Sequence, residues 1–364
     1  MVPKELLMKI LTMCQDFKKG GFYERFASMI EAMLEQDWEV HYISTQRFPI
    51  KNKNLHFHHV KEVKGISAPM FAKFMPQAIV KSMALNNKQS FDKIVVFGSA
   101  YGFIGWALKK VYSIPMITFL RADLLDNLKI QGRSKLVKPV SMMQRFAFRA
   151  SDKIVVNTAF VGEKIQQRYK IPKEKISLVY NDIPIKFREP AKVKRSNDIG
   201  FVGVIEKRKG IDTLLEAFSK IHDKISSNLI VVGEGPISRK IEKYIKKKGL
   251  EKRVKMSGWK NEDEVKKLIS SFSLLVVPSL SEGCPNTVLE ALGCNTPCIG
   301  SGIREIREIL KHDELLFTPE DPDDTAKKIL YALENRENIQ KLCSERKKEF
   351  IFDWKAACIK TIKN

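Results

Sequence analysis

The chain has 364 residues, with 64 Lys and Arg against 42 Asp and Glu, for a formal net charge of +22. Its length points to two domains of ordinary size, and 44% hydrophobic and 9% aromatic content is that of a soluble globular chain. No apolar run nears the roughly 18–20 residues that span a bilayer, and Lys9 interrupts the short apolar stretch at the N-terminus. A transmembrane helix and a signal peptide are therefore not expected. The lysines are spread along the chain without a long basic tail, which fits a basic surface better than a nucleic-acid arm. No nucleic-acid recognition motif accompanies the charge, so no nucleic-acid partner is expected. Six cysteines without a C-x-x-C pair read as free buried thiols of a reduced, cytosolic protein.

In chain order, a strand is expected at residues 6–13, then a loop ending at Gly20-Gly21, an amphipathic helix at 22–35 and a strand at 39–44. This is a β-loop-α-β unit with a right-handed crossover. Gly21 lets backbone amides approach a ligand, although a tight turn explains the glycine pair equally well. His56 and His58 alternate as on one face of a strand. No nearby cysteine or carboxylate completes a tetrahedral site, and no metal is expected. Residues 69–88 and 129–149 mix Met and Phe with Lys, and either lie on an anionic membrane or pack on a core with a solvated lysine face. Pro76 argues against a continuous helix in the first of them. Further strands are expected at 93–97, 116–120, 153–157 and around 176–180, followed by a basic linker at 184–197.

The second half alternates more regularly, with strands at 199–202, 229–232, 254–256, 274–277, 298–299 and near 315–317. That pattern is a doubly wound parallel sheet. The first of these strands ends at Gly203, and a basic loop containing Arg208 leads to Lys209 at the entrance of a helix opened by Gly210. Lys209 is placed to neutralise a diphosphate as its charge develops, against the alternative of a solvated basic loop. Gly233 and Gly235 form a turn after the next strand.

The most informative stretch is LLVVPSLSEGCPNTVLEALGCNTPCIG, residues 274–300. Four apolar residues form a strand buried on both faces, Pro278 ends it, Pro285 is read as the first helical residue and Gly293 as the stop. The N–H groups of Asn286, Thr287 and Val288 would then point outward as an anion site. Glu282 and Glu290 bracket it, and Asn286 and Glu290, four apart, share a helix face. Amides suit a diphosphate and carboxylates suit sugar hydroxyls, which together suit a nucleotide-sugar.

The E-x7-E spacing inside PSLSEGCPNTVLEAL, with the downstream T-P, resembles the signature of the retaining glycosyltransferases of family 4. The resemblance implies the GT-B fold, two Rossmann-like domains facing across a cleft with a C-terminal helix crossing back. Expected boundaries are 1–184 for the acceptor domain, 185–345 for the nucleotide-sugar domain and 346–364 for that helix. Glu282 would then contact the transferred sugar, Glu290 the ribose, and the amides of Gly283, Cys284, Pro285's neighbours, Asn286 and Thr287 the phosphates. Residues 20–44 resemble the family's first unit, whose glycine loop holding Gly21 lies at the cleft. Gly233 and Gly235 fall in the strand–turn that the family packs near the nucleotide, and Gly203 ends the strand whose loop offers Lys207 or Arg208 as a substitute phosphate contact. Trp259 occupies the position of contacts to the base, or caps the core. The family's arginine after the first glycine is replaced by Val204. Many relatives carry a histidine near 121–123, where this chain has Arg121-Ala122-Asp123. There Asp123 would orient the acceptor hydroxyl and Arg121 meet a phosphate, or the two would form a structural pair. Glu305 matches a family position and is read as helix-start support.

The expected activity is transfer of a sugar, with retention, from a nucleotide diphosphate-sugar to a glycan or lipid-linked acceptor, as in surface polysaccharide or glycolipid synthesis. No metal and no cofactor are required, and the expected setting is the cytoplasm or the inner membrane face. The alternatives are a nucleotide-sugar epimerase of the same fold and a non-catalytic nucleotide-sugar-binding protein.

Overall fold

The computed structural model of the protein describes residues 7–15, 21–61, 70–121 and 124–364. The chain divides into two units. The first comprises Met1–Leu125, Ser134–Val179 and Asp353–Asn364, and the second Asp126–Arg133 and Tyr180–Phe352.

The first unit is built on seven parallel strands: β1 (Lys9–Met13), β2 (Glu39–Ser44), β3 (Leu55–His59), β4 (Lys93–Phe97), β5 (Met116–Leu120), β6 (Lys153–Val156) and β7 (Ile176–Leu178). Their order is β3-β2-β1-β4-β5-β6-β7. Central β5, MITFL, is buried at every position, as a strand covered by helices on both faces requires. The strand order reverses between β1 and β4, so this unit has a topological switch point there. Helix Trp354–Lys363 packs in this unit, with Trp354 2% exposed and Lys355 Nζ 2.7 Å from Glu35 and 3.1 Å from Glu31.

The helix Met70–Lys88 runs continuously through Pro76, against the sequence expectation. Phe74, Met75, Ala78 and Ser82 are all buried along it, and Ser82 Oγ donates to the Ala78 carbonyl at 2.6 Å. Burial of that face outweighs the roughly 3 kcal/mol that an interior proline costs.

The second unit has six parallel strands: β8 (Ile199–Val202), β9 (Leu229–Val232), β10 (Val254–Met256), β11 (Leu274–Val277), β12 (Cys298–Ser301) and β13 (Leu316–Phe317). Their order is β10-β9-β8-β11-β12-β13. The first four match the expected bounds, and β12 is two residues longer. The stretch 184–197 folds within this unit: Phe187 is 1% exposed, and Arg188 bonds Asp182 at 3.0 Å and the Phe352 carbonyl at 2.7 Å. All six cysteines are buried free thiols.

Candidate active site

In the second sheet the chain first winds from β8 to β9 and β10, then returns to β11 on the other side of β8. That reversal opens a crevice between the C-terminal ends of β8 and β11, the place where open α/β sheets bind ligands. The loop after β8 carries Arg208 and Lys209, and the loop after β11 carries Glu282.

Lys207–Lys209 form one 3-10 turn, and Gly210 follows with φ +65° before helix Ile211–Ser219. A Cβ at Gly210 would fall 1.9 Å from the Pro278 carbonyl oxygen, so only glycine lets the two loops meet. Leu280 N–H donates to the Arg208 carbonyl at 2.8 Å and ties them together. Gly233, with φ +130°, likewise brings the turn after β9 against the Gly203 carbonyl, at 1.9 Å from where a Cβ would stand.

Within this frame Glu282 is 7% exposed. Its Oε1 accepts from Lys209 Nζ at 2.5 Å and from Ser279 Oγ at 2.7 Å, and its Oε2 accepts from Arg208 at 3.1 Å. Burial pushes the Glu282 carboxyl up, but the Lys209 and Arg208 charges and these hydrogen bonds hold it below its ordinary value. Arg208 also donates to the Ser281 carbonyl at 3.1 Å and to Glu206 at 2.6 Å. The site thus holds an ionised acid against two cations at neutral pH.

Helix Asn286–Gly293 begins beside this cluster, with Pro285 as its N-cap and not its first residue. The Val288 N–H turns back to the Pro285 carbonyl at 3.0 Å. That corrects the expectation that it faces outward and leaves Asn286 and Thr287 as the leading amides. Thr287 Oγ1 reaches the Val202 carbonyl at 3.4 Å, and Asn286 Oδ1 accepts from Asn181 at 2.6 Å, which fixes the helix start against the end of β8. Glu290 is half-buried one turn on, along the same helix face as Asn286. Gly283, Cys284 and Pro285 are buried in the connecting loop.

Trp259 is 52% exposed and does not cap the core; its backbone N–H donates to Glu234 Oε1 at 3.3 Å. Gly235 donates its N–H to Ser238 at 2.9 Å in the turn after β9. Glu305 stands in the first turn of helix Arg304–Leu310 but is 4% exposed, deeper than a helix-start acid would need to be. In the first unit Gly21 opens helix Gly21–Leu34. Arg121 lies over the Phe97 ring at 5.5 Å and the Trp354 ring at 5.8 Å, and its carbonyl accepts from Asn157 at 3.1 Å. Asp123 lies outside the described residues. Sequence reasoning missed Ser279 and Glu206, which orient Glu282 and Arg208. The serine three residues before the acid was the available signal.

Residues 182–350 match the model for glycosyl transferases group 1, and residues 20–187 match that for glycosyltransferase family 4. The chain belongs to these glycosyltransferases. An uncharacterized glycosyltransferase of Methanocaldococcus jannaschii is 28% identical over 346 residues, 92% of this glycosyltransferase and 91% of the relative. The N-acetyl-alpha-D-glucosaminyl L-malate synthase of Bacillus anthracis is 24% identical over 342 residues, covering 88% and 86%. Among solved structures, sucrose-phosphate synthase from Thermosynechococcus elongatus superposes with a TM-score of 0.83 at 20% identity, over 98% of both chains. HepE from Anabaena in complex with UDP-glucose gives 0.79 at 16% identity, over 98% of this chain and 99% of that one. The fold is GT-B, two Rossmann-like domains, each on a parallel sheet. Among the described residues, no helix of the glycosyltransferase is long and apolar enough to cross a membrane.

Proposed function

We propose that this glycosyltransferase moves a sugar, with retention, from a nucleotide diphosphate-sugar to a hydroxyl of a glycan or lipid-linked acceptor, without a metal. The carrying observation is Glu282, a buried ionised acid gripped by Lys209 and Arg208 beside the start of helix Asn286–Gly293. In this reading Glu282 accepts hydrogen bonds from hydroxyls of the donor sugar, and Glu290 does so from the ribose. Lys209, Arg208 and the amides of Asn286 and Thr287 stabilise the departing diphosphate. The bond from the sugar's anomeric carbon to phosphate oxygen breaks, the acceptor oxygen bonds that carbon from the same face, and its proton passes to the leaving phosphate. The HepE complex with UDP-glucose supports a UDP-sugar as the first donor to test.

The acceptor side is proposed to work at an anionic membrane surface. Helix Val137–Ala150 exposes Met142 (61%) and Phe146 (42%) beside exposed Lys138, Arg145 and Arg149, and Phe146 continues into Trp106, 5.5 Å away between ring centres. Apolar side chains ringed by cations suit an anionic lipid interface, which the net charge of +22 also favours.

The experiment is a thermal-shift screen of UDP-, GDP- and ADP-sugars, followed by NMR of the product formed from the stabilising donor with an acceptor. A stabilising donor and a product that keeps the donor's anomeric configuration are expected. Inversion at that carbon would overturn retention. Isomerised donor formed without an acceptor would mean an epimerase, and binding without turnover would mean a sensor.

A further inference from the structure

The sequence pairs only His56 with His58, on one face of β3. Register across the sheet adds more. β2 and β3 run parallel with His41 opposite His56, and alternation brings Glu39 and His41 to the same face of β2. The His41 ring stacks on His56 at 4.6 Å and on His58 at 5.1 Å between ring centres.

We propose that Glu39, His41 and His56 form a binding site for a divalent transition-metal ion of the zinc class. The ligand atoms of these three residues lie within 4.8 Å of one another, and His41 Nε2 is 4.0 Å from Glu39 Oε2. Tetrahedral zinc with bonds of about 2.0–2.1 Å needs its ligand atoms about 3.4 Å apart. Modest rotation of the half-buried Glu39 and His56 side chains closes the difference. His41 itself is 3% exposed and held in place. Its Nδ1 lies 2.9 Å from His58 Nε2. With the proton on Nδ1 donated to His58, the Nε2 lone pair is left for the ion, an arrangement in which a second group fixes the ligating tautomer. The Gln89 amide nitrogen lies 2.9 Å from the same Nδ1 and 3.3 Å from Nε2, and would turn away from Nε2 as an ion binds there.

Two imidazoles and a carboxylate favour Zn²⁺, Co²⁺, Ni²⁺ or Cu²⁺ over Mg²⁺ or Ca²⁺. Three protein ligands leave one position for solvent. Lys9 Nζ, 3.5 Å from Glu39 Oε2, competes for the carboxylate and would swing away on binding. Glu39 and His56 stand at the starts of their strands, whereas ligand crevices of such sheets lie at the strand ends. The ion would therefore pin β3 to the sheet and leave the switch point untouched.

The test uses the full-length protein without an affinity tag, stripped of metal and titrated with Zn²⁺ by calorimetry, with Co²⁺ as a spectroscopic probe. One equivalent is expected to bind and to raise the melting temperature of the wild type. His56→Ala and Glu39→Gln should each weaken binding about tenfold or more. Glu39→Gln keeps the test informative should His56→Ala fold poorly. Absence of stoichiometric binding, or unchanged affinity in both variants, would overturn the proposal.

Discussion

Lys209 Nζ stands 2.5 Å from Glu282 Oε1, so the cation offered to a diphosphate and the acid offered to a sugar form one ion pair across two loops. Each is positioned by the other. Lys209→Ala should lower kcat by about 10²–10³, the range for loss of one preorganised group at a developing charge. It should also cost roughly 1–3 kcal/mol of stability, because Glu282 keeps only Arg208 and Ser279. Steady-state kinetics and calorimetric melting of the purified variant check both. Near wild-type turnover would remove Lys209 from the site.

Acid should act on the same pair. Glu282 has a folded value below its ordinary 4.5, so the folded chain stays ionised where the unfolded chain takes up a proton. Its contribution is complete above about pH 4.5 and is lost as pH falls through the lower folded value. Melting temperatures of the wild type should therefore drop more steeply below pH 4.5 than those of Glu282→Gln. Parallel curves would show that the ion pair contributes nothing to acid stability.

Gly210→Ala should destabilise by about 1–3 kcal/mol, since its φ of +65° strains any side chain and the Pro278 carbonyl occupies the space. Urea unfolding of the second unit's signal measures it. A stabilised variant would mean that the two loops do not meet as described.

The thiols should be inert in the folded chain. Burial pushes Cys343 up to about 12 and Cys298 well above its ordinary value, and all six cysteines are buried. A thiol reagent at pH 8 should label none of them natively and all six in denaturant. Fast native labelling would point to an opening of the core.

Membrane docking should depend on the patch on helix Val137–Ala150. Arg145→Glu should weaken sedimentation with anionic vesicles at low salt by more than the about fivefold expected from one lost cation. Met142→Ser with Phe146→Ser should weaken it further. No co-sedimentation of the wild type would end the proposal for this surface.

Much of the second unit was legible because its strands announce themselves. LLVV of β11 is buried at all four positions, and Pro278 stops it where the sequence says. Glu282 could be chosen from spacing, and so could Ser279 and Glu206, which stand three and two residues from their partners in the same loops; what no local spacing carries is the meeting of Glu282 with Lys209 and Arg208 across the two loops. The Val288 amide was misjudged for a local reason: the first turn is tight, and its N–H closes a three-residue bond onto the Pro285 carbonyl where a regular α-turn would leave it open. In the first unit, His41 and Glu39 joined His56 only through strand register, which no single segment of sequence carries. Pro76 misled because its local cost is visible in sequence, while the burial of Phe74, Met75 and Ala78 that opposes it is not.

Contact between residue 210 and the Pro278 carbonyl leaves the loops no slack to slide past one another. Whatever stiffens one must stiffen the other. Hydrogen exchange at residues 203–210 and 279–285 should then slow together when a donor arrives, as though a single rigid jaw had closed, even if the donor's atoms touch just one of them.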